Sequence, residues 1–183
     1  FERSRPAWRA ARSRSFTAAL LLSGALPAAA QRPTLTPEDY AQWETITLTA
    51  MAPDGAWFAH VVTREEGDDE LRIRDVVRDT THVIPYATRP VFAPGARWLA
   101  WSLGISEEER AQLPPDRPVR ASLGLLDLHS RTFSLIPEVA DFSFSSDGRY
   151  LALRGFPAVN SSARGVDVIV RDLVTGATVS FVN

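Results

Sequence analysis

The sequence contains no cysteine among its 183 residues. This absence excludes disulfide bonds, thiolate metal sites, a cysteine nucleophile and a lipoprotein anchor attached through cysteine. Lysine is absent too, so all 20 basic residues are arginine; 22 acidic residues oppose them and the net charge is −2. No positively charged surface of the kind that binds nucleic acid is indicated, and we expect no nucleic-acid partner.

Several catalytic and cofactor-binding motifs are missing as well. The sequence has no Gly-x-Ser-x-Gly pentapeptide, which an α/β-hydrolase uses to hold its serine nucleophile on a strained turn. It also lacks a phosphate-binding P-loop, a dinucleotide fingerprint and a histidine pair at zinc-ligand spacing. We therefore predict no catalytic residue, no cofactor-binding residue and no metal ligand in this chain.

The three histidines are isolated from one another. His60 and His82 fall in predicted strands, and His129 falls in a predicted turn. Isolated histidines in such places are more often structural or solvent-exposed than catalytic, and we interpret these three in that way.

Residues 1–30 have the pattern of a secretory signal peptide. Five arginines lie within Arg3–Arg14, and an apolar run of 11 residues, Phe16–Leu26, follows them. That run is too short to span a bilayer as a helix, and Pro27–Ala30 supplies small residues for cleavage before Gln31. We predict a cleaved signal and a periplasmic or secreted protein, free of the membrane after cleavage. The alternative is an uncut N-terminal membrane anchor.

A short turn motif between two apolar runs occurs three times. Asp147-Gly148 is typical of a hairpin turn, because glycine adopts positive φ without a steric clash and aspartate can hydrogen-bond its own backbone. Pro53-Asp54-Gly55 and Pro94-Gly95-Ala96 are the other copies, and each copy is followed two places later by an aromatic residue: Trp57, Trp98 and Tyr150. In the middle copy glycine comes one position early, which predicts a type II turn with Pro94 second and Gly95 third.

A second marker alternates with the first along the chain. Three apolar runs each carry an aspartate near their end, namely Asp75, Asp127 and Asp172. A repeat of about 40–50 residues with four strands in each unit is typical of β-propeller blades. We therefore predict an all-β fold: a partial β-propeller of about three four-stranded antiparallel blades, with the three aromatic residues in equivalent positions.

The predicted organisation follows from these repeats. A signal peptide (1–30) and a linker with a short helix (31–45) precede blades at 46–86, 90–136 and 140–183, the second with a helical insertion at 104–120. In the second blade the first strand is predicted at Val91–Phe92. Because the chain begins at Phe1 and ends directly after a predicted strand, we expect a fragment of a longer protein and an incomplete third blade.

Two short helices are predicted. Thr36 is a typical N-cap and Pro37 a typical first helical residue, so a helix is expected from Pro37 to about Glu44. Tyr40 and Trp43 would share one helix face, and we expect them to pack on a sheet rather than to form a ligand-binding aromatic pair.

The second helix lies in the insertion. Ser106 and Glu109 have the spacing of a capping box, which predicts a helix to Gln112 that ends before Pro114-Pro115. Insertions of this kind lie on a propeller rim, where binding often occurs. The glutamates of this helix and the acidic run Glu65–Glu70 are nevertheless interpreted as solvated charges, and the run lacks the ligand spacing of an EF-hand calcium loop.

Several segments together resemble the N-terminal region of secreted bacterial prolyl oligopeptidase-type serine peptidases. They are Leu35–Tyr40, Trp43-Glu44, Ala52–Ala59, Leu123–Leu128, Phe142–Ala152 and Val170–Leu173. The resemblance covers residues 35–183. It implies a propeller of seven or eight blades followed by an α/β-hydrolase domain with a Ser-Asp-His triad, and a propeller that admits only short peptides. The implied partners are the missing C-terminal blades and hydrolase domain of the same protein, with short peptides as substrates. No triad residue matches a position in this chain.

Two other interpretations remain open. A non-enzymatic periplasmic propeller that scaffolds protein–protein interaction would have the same turns and the same signal. A free-standing small β domain is less favoured, because its last strand would leave an unpaired edge.

Overall fold

The structure is a computed structural model that describes residues 36–40, 43–65, 67–115, 117–157 and 166–182. The predicted signal peptide and the linker up to residue 35 lie outside these ranges. No helix in the described ranges is both long enough and apolar enough to cross a membrane.

Twelve strands form three four-stranded antiparallel sheets, each built from strands that are consecutive in the chain. Sheet 1 contains β1 (Glu44–Met51), β2 (Trp57–Arg64), β3 (Glu70–Asp75) and β4 (Thr80–Pro85). Sheet 2 contains β5 (Ala87–Phe92), β6 (Trp98–Leu103), β7 (Ser122–Asp127) and β8 (Thr132–Ile136). Sheet 3 contains β9 (Val139–Phe144), β10 (Tyr150–Gly155), β11 (Val168–Asp172) and β12 (Thr178–Phe181). The predicted all-β fold of three four-stranded blades is confirmed.

The core consists of two apolar layers, one on each face of sheet 2. Because side chains alternate along a strand, β6 directs Leu99 and Trp101 into the layer shared with sheet 1 and Ala100 into the layer shared with sheet 3. The first layer includes from sheet 1 the buried residues Ala59, Val61, Leu71 and Ile73. The second includes from sheet 3 the buried residues Phe142, Leu151 and Leu153. Each fully buried aliphatic side chain contributes about 1.5–3 kcal/mol relative to an exposed one.

The two sequence markers meet in the strand ladders. Trp57 lies directly opposite Asp75, Trp98 opposite Asp127, and Tyr150 opposite Asp172. Directly opposed residues in an antiparallel pair project from the same face. The predicted equivalence of the three aromatic positions is therefore confirmed, and each aromatic residue shares a face with one aspartate.

The turns between the first and second strands of the sheets have one common geometry, so the prediction of a type II turn at Pro94-Gly95 is wrong. Ala96 donates its backbone N–H to the carbonyl of Ala93 at 2.9 Å, and its φ is +54°. Gly55 and Gly148 occupy the same position with φ of +72° and +69°. The residue with left-handed backbone is thus Ala96, which follows the Pro-Gly pair. Its position matches that of the two glycines, because in every sheet the aromatic residue two places later begins the second strand.

The first helix, α1, is only four residues long, Pro37–Tyr40, whereas the sequence predicted a helix to about Glu44. At its start the Thr36 backbone N–H donates to the Asp39 carboxylate at 2.7 Å. The helix ends early because Glu44 already pairs with Arg64 in the β1–β2 ladder. The rings of Tyr40 and Trp43 contact each other with centroids 4.5 Å apart, yet the two residues remain 49% and 51% exposed and do not join the core.

The second helix, α2 (Glu107–Gln112), has the predicted capping box. The Ser106 hydroxyl accepts from the Glu109 N–H at 3.0 Å, and the Glu109 carboxylate accepts from the Ser106 N–H at 2.9 Å. Strand β5 is longer than the predicted Val91–Phe92 and includes Pro90. Proline is tolerated there because the ladder shifts register between Thr88 and Val91, so no backbone N–H is needed at that point.

Replacement of Ala96 by glycine should stabilise the chain by about 0.5–1 kcal/mol. A non-glycine residue in the left-handed region costs about 1–2 kcal/mol, which exceeds the additional unfolded-state entropy of glycine of about 0.4–1 kcal/mol. Urea unfolding measures the change. The reverse substitution at the matching position, Gly55→Ala, should lower stability by a similar amount, and changes of the same sign for the two variants would contradict the shared turn geometry.

The substitution Gly124→Ala should lower the free energy of unfolding by about 1–3 kcal/mol through overpacking. A Cβ at Gly124 would lie 2.2 Å from Cε2 of Trp101, whose indole ring packs directly on this glycine. The control is Gly95→Ala, where an added Cβ meets nothing within 4 Å. Equal unfolding curves for the two variants would rule out this close approach.

Candidate functional site

The candidate reactive side chains of the described residues do not converge. No group of three or more histidine, aspartate or glutamate side chains in these ranges is arranged to hold a metal ion. His60 lies on the outer face of sheet 1, stacked on Phe58 with ring centroids 5.2 Å apart. Burial, and then the nearby Arg72, lower its pKa, and its Nδ1 is buried without a hydrogen-bond partner within the described residues. His82 and His129 are exposed, on β4 and in the β7–β8 turn.

The most regular polar feature is a set of three aromatic–arginine–aspartate clusters at one end of the sheets. In sheet 2 the Arg97 guanidinium carbon lies 5.4 Å from the centre of the Trp98 ring, and Arg97 donates from Nη2 to Asp127 at 3.0 Å. In sheet 3 the corresponding distances are 5.1 Å, from Arg149 to Tyr150, and 2.7 Å, from Arg149 to Asp172. Both arrangements combine a cation–π contact with a charge-assisted hydrogen bond.

The first cluster has the same composition but a different source of arginine. The Arg131 guanidinium carbon lies 5.5 Å from the Trp57 ring centre, and Arg131 donates to Asp75. Arg131 belongs to the β7–β8 turn of sheet 2, whereas Trp57 and Asp75 belong to sheet 1. The sequence markers identified the aromatic and aspartate members of these clusters. They missed the arginines, because the arginines have no common position in the repeat: Arg97 and Arg149 directly precede the aromatic residue, whereas Arg131 does not.

Each aspartate also organises the turn that follows its strand. Oδ1 of Asp172 accepts from the backbone N–H groups of Val174 and Thr175 at 2.8 and 3.1 Å. Asp75 and Asp127 make the equivalent pairs of bonds with the two residues two and three positions further on. A buried carboxylate is therefore satisfied on one oxygen by the turn and on the other by an arginine, as burial of a charge requires.

The electrostatics of two clusters favour the charged carboxylate. The Arg149 hydrogen bond, aided by two backbone N–H groups and opposed by desolvation, lowers the pKa of Asp172 from 3.8 to about 2. At Asp127 burial is the largest influence and opposes ionisation. Arg97 and the N–H groups of Ser130 and His129 together outweigh that burial and hold the pKa below its ordinary value.

A groove of about 390 Å³ opens at the other end of the sheets. It lies where the β2–β3 loop, the β4–β5 link and the insertion between β6 and β7 meet, and its described lining includes Asp68, Asp69, Tyr86, Ser102 and Glu107. A hydrogen bond with Asp68 raises the pKa of the Tyr86 phenol. No histidine is among the described lining residues.

The outer face of sheet 1 carries a closed ion-pair network beside the exposed apolar side chains of Ile46 and Met51. Arg64 donates to Glu44 at 2.6 Å and to Glu70 at 3.0 Å, and Arg72 contacts the same two carboxylates at 2.8 and 2.6 Å. Glu70 was expected in a solvated acidic loop, and that expectation is wrong. It begins β3, its side chain is 17% exposed, and hydrogen bonding from Arg64 lowers its pKa.

Three consecutive four-stranded antiparallel sheets that pack face to face, with paired aromatic and aspartate positions, define the class of this protein: the described residues form part of a β-propeller. Solved structures similar to it include β-propellers of serine peptidases of the prolyl oligopeptidase and acylaminoacyl peptidase type. The resemblance noted in the sequence is thus confirmed at the level of the fold.

Three of these structures illustrate the similarity. The β-propeller domain of the Trilobed protease from Pyrococcus furiosus is 14% identical, with a TM-score of 0.54 over 76% of this chain and 42% of that one. Prolyl oligopeptidase B from Galerina marginata is 16% identical, with a TM-score of 0.53 over 81% and 24%. Acylaminoacyl peptidase from Pyrococcus horikoshii is 12% identical, with a TM-score of 0.51 over 78% and 25%.

At these identities the similarity establishes the fold alone. The match covers less than half of the length of each of these three proteins. No protein-family model matches the sequence, and no curated protein matches it either.

Stability should fall in acid because of Asp172. A carboxylate whose folded pKa is about 2, against an ordinary 3.8, stabilises the fold above pH 4 and loses that contribution as the pH falls towards 2. The variant Asp172→Asn should therefore show a shallower loss of stability between pH 5 and pH 2 in urea unfolding. Arg149→Gln should likewise reduce the loss of stability between pH 5 and pH 2. If both variants lose stability with falling pH as steeply as the unaltered chain, Asp172 is not the source of the acid dependence.

Proposed function

We propose that this chain contributes three consecutive propeller blades to a secreted serine peptidase of the prolyl oligopeptidase type. In this proposal the propeller restricts access to an α/β-hydrolase domain outside the described residues, so that only short peptides reach the catalytic serine. The observation that carries the proposal is the arrangement of three successive four-stranded sheets, which is similar to the propellers of peptidases of this kind.

The outer face of sheet 3 supports the existence of a further blade. Tyr150, Ala152 and Val170 project from this face, at the ladder positions that Trp57, Ala59 and Ile73 hold on the covered face of sheet 1. Val179 and Phe181 extend the same surface and are 58% and 59% exposed. An apolar sheet face of this size is normally buried against another layer, and the matching positions in sheets 1 and 2 are covered by the next sheet.

The groove at the insertion end is the described surface best placed to meet substrate or a neighbouring domain. Loops at one end of a propeller are free to vary while the sheets stay packed. Helix α2 rests there with no buried residue, so its capping box, and not core packing, maintains its helical form. We place the substrate-facing or domain-facing surface at this rim.

A secreted or periplasmic location is part of the proposal. It rests on the order of charge, short apolar run and small residues within 1–30, which is the order of a secretory signal.

The test is to read the complete gene and assay its full-length product. The proposal predicts further blades, then a Gly-x-Ser-x-Gly sequence in a predicted hydrolase domain, labelling by a fluorophosphonate, and cleavage of short peptides but not of folded proteins. Serine-to-alanine substitution in that motif is the control and should abolish both labelling and cleavage. A reading frame that encodes only a closed propeller, and a product that is not labelled, would instead support a non-enzymatic scaffold.

A further inference from the structure

The residue before each aromatic marker occupies an equivalent place in all three sheets. The backbone carbonyls of Ala56, Arg97 and Arg149 each accept a hydrogen bond from the residue that follows the buried aspartate, at 2.9, 2.8 and 2.9 Å. In sheets 2 and 3 this place holds arginine, and its guanidinium covers the adjacent ring and pairs with the aspartate of its own sheet. In sheet 1 the place holds alanine, which supplies neither contact.

The missing guanidinium is nevertheless present over Trp57. Arg131 of sheet 2 reaches across to sheet 1, where it lies over the Trp57 ring and donates to Oδ2 of Asp75. Arg78 of sheet 1 also contacts Oδ2, at 3.3 Å. Arg131 alone makes both contacts that Arg97 and Arg149 make in their own sheets.

The position of Arg131 depends on the turn that carries it. Arg131 has a φ of +60°, and its backbone N–H donates to the carbonyl of Asp127 at 2.7 Å. The equivalent residues of the other sheets, Asp79 and Gly176, have φ of +54° and +76°. The turn geometry is thus common to all three sheets, and an arginine stands at this position only in sheet 2, which packs against the sheet that lacks its own.

We infer that Arg131 is a positioning residue that clamps sheet 2 onto sheet 1 by completing the aromatic–arginine–aspartate cluster across the boundary between them. Arg97 and Arg149 complete their clusters within one sheet and therefore stabilise a sheet rather than a boundary. Positions 56 and 131 should therefore compensate for each other. An arginine at position 56 would supply the contacts with Trp57 and Asp75, whereas alanine at position 56 leaves both contacts to Arg131.

The test is a double-mutant cycle between positions 56 and 131 in the full chain, followed by thermal unfolding. Arg131→Ala should lower the unfolding midpoint by about 2–4 °C, the shift expected for loss of one such contact in a domain of this size. Ala56→Arg should restore at least half of that loss in the Arg131→Ala background. By itself Ala56→Arg should give no increase, because two guanidinium groups would then compete for Asp75 and Trp57.

Two further measurements separate a clamp from a general effect on stability. Hydrogen exchange of Arg131→Ala should show greater loss of protection in sheet 1 than in sheet 3, because the lost contacts hold sheet 1. The matched control is Arg97→Ala, which should not be rescued by Ala56→Arg. Equal effects of Ala56→Arg in both position-131 backgrounds, no change in midpoint for Arg131→Ala, or rescue of Arg97→Ala would each overturn the inference. If Arg131→Ala does not fold, Arg131→Lys serves in its place, and the same cycle applies.

Discussion

The fold depends on the burial of sheet faces against one another. A four-stranded sheet of this size cannot remain stable with two exposed apolar faces, and in this chain the remedy is another sheet of the same kind. Sheet 2 shows the completed arrangement, because Leu99 and Trp101 face sheet 1 while Ala100 faces sheet 3. Because neighbouring side chains of β6 project from opposite faces, sheet 2 packs against sheet 1 on one face and against sheet 3 on the other.

The three buried aspartates of this apolar stack are each fully compensated. Each buried aspartate has its turn N–H groups on one oxygen and an arginine on the other, and the arginine also covers the neighbouring aromatic ring. The absence of lysine is consistent with this use, since the flat guanidinium can stack on a ring and donate to a carboxylate at once. The cluster in sheet 1 takes its arginine from sheet 2, which couples the internal order of one blade to its contact with the next.

The outer faces of the stack differ in charge. Sheet 3 ends in an apolar surface whose ladder positions match those already covered in sheets 1 and 2. Sheet 1 ends in four charges that satisfy one another, above the buried Val62. An apolar sheet placed on that network would desolvate four charges, which is expensive even for well-paired ions. The two ends of this three-blade unit are therefore suited to different neighbours, and the loops of the insertion end lie between them.

Local patterns in the sequence were sufficient for the number of strands, the hairpin turns, the capping box at Ser106 and the equivalence of Trp57, Trp98 and Tyr150, because each depends on residues close together in the chain. They failed where a tertiary contact decides the outcome. Glu44 pairs in the β1–β2 ladder and is therefore not part of the predicted helix, and a register shift allows β5 to include Pro90. Ala96 rather than Gly95 has positive φ, because the aromatic residue begins the second strand at the same place in every sheet. The ion-pair network that contains Glu70 forms only when β1, β2 and β3 pair in one sheet. Arg131 and Asp75 are 56 residues apart, and they meet only once sheets 1 and 2 have stacked.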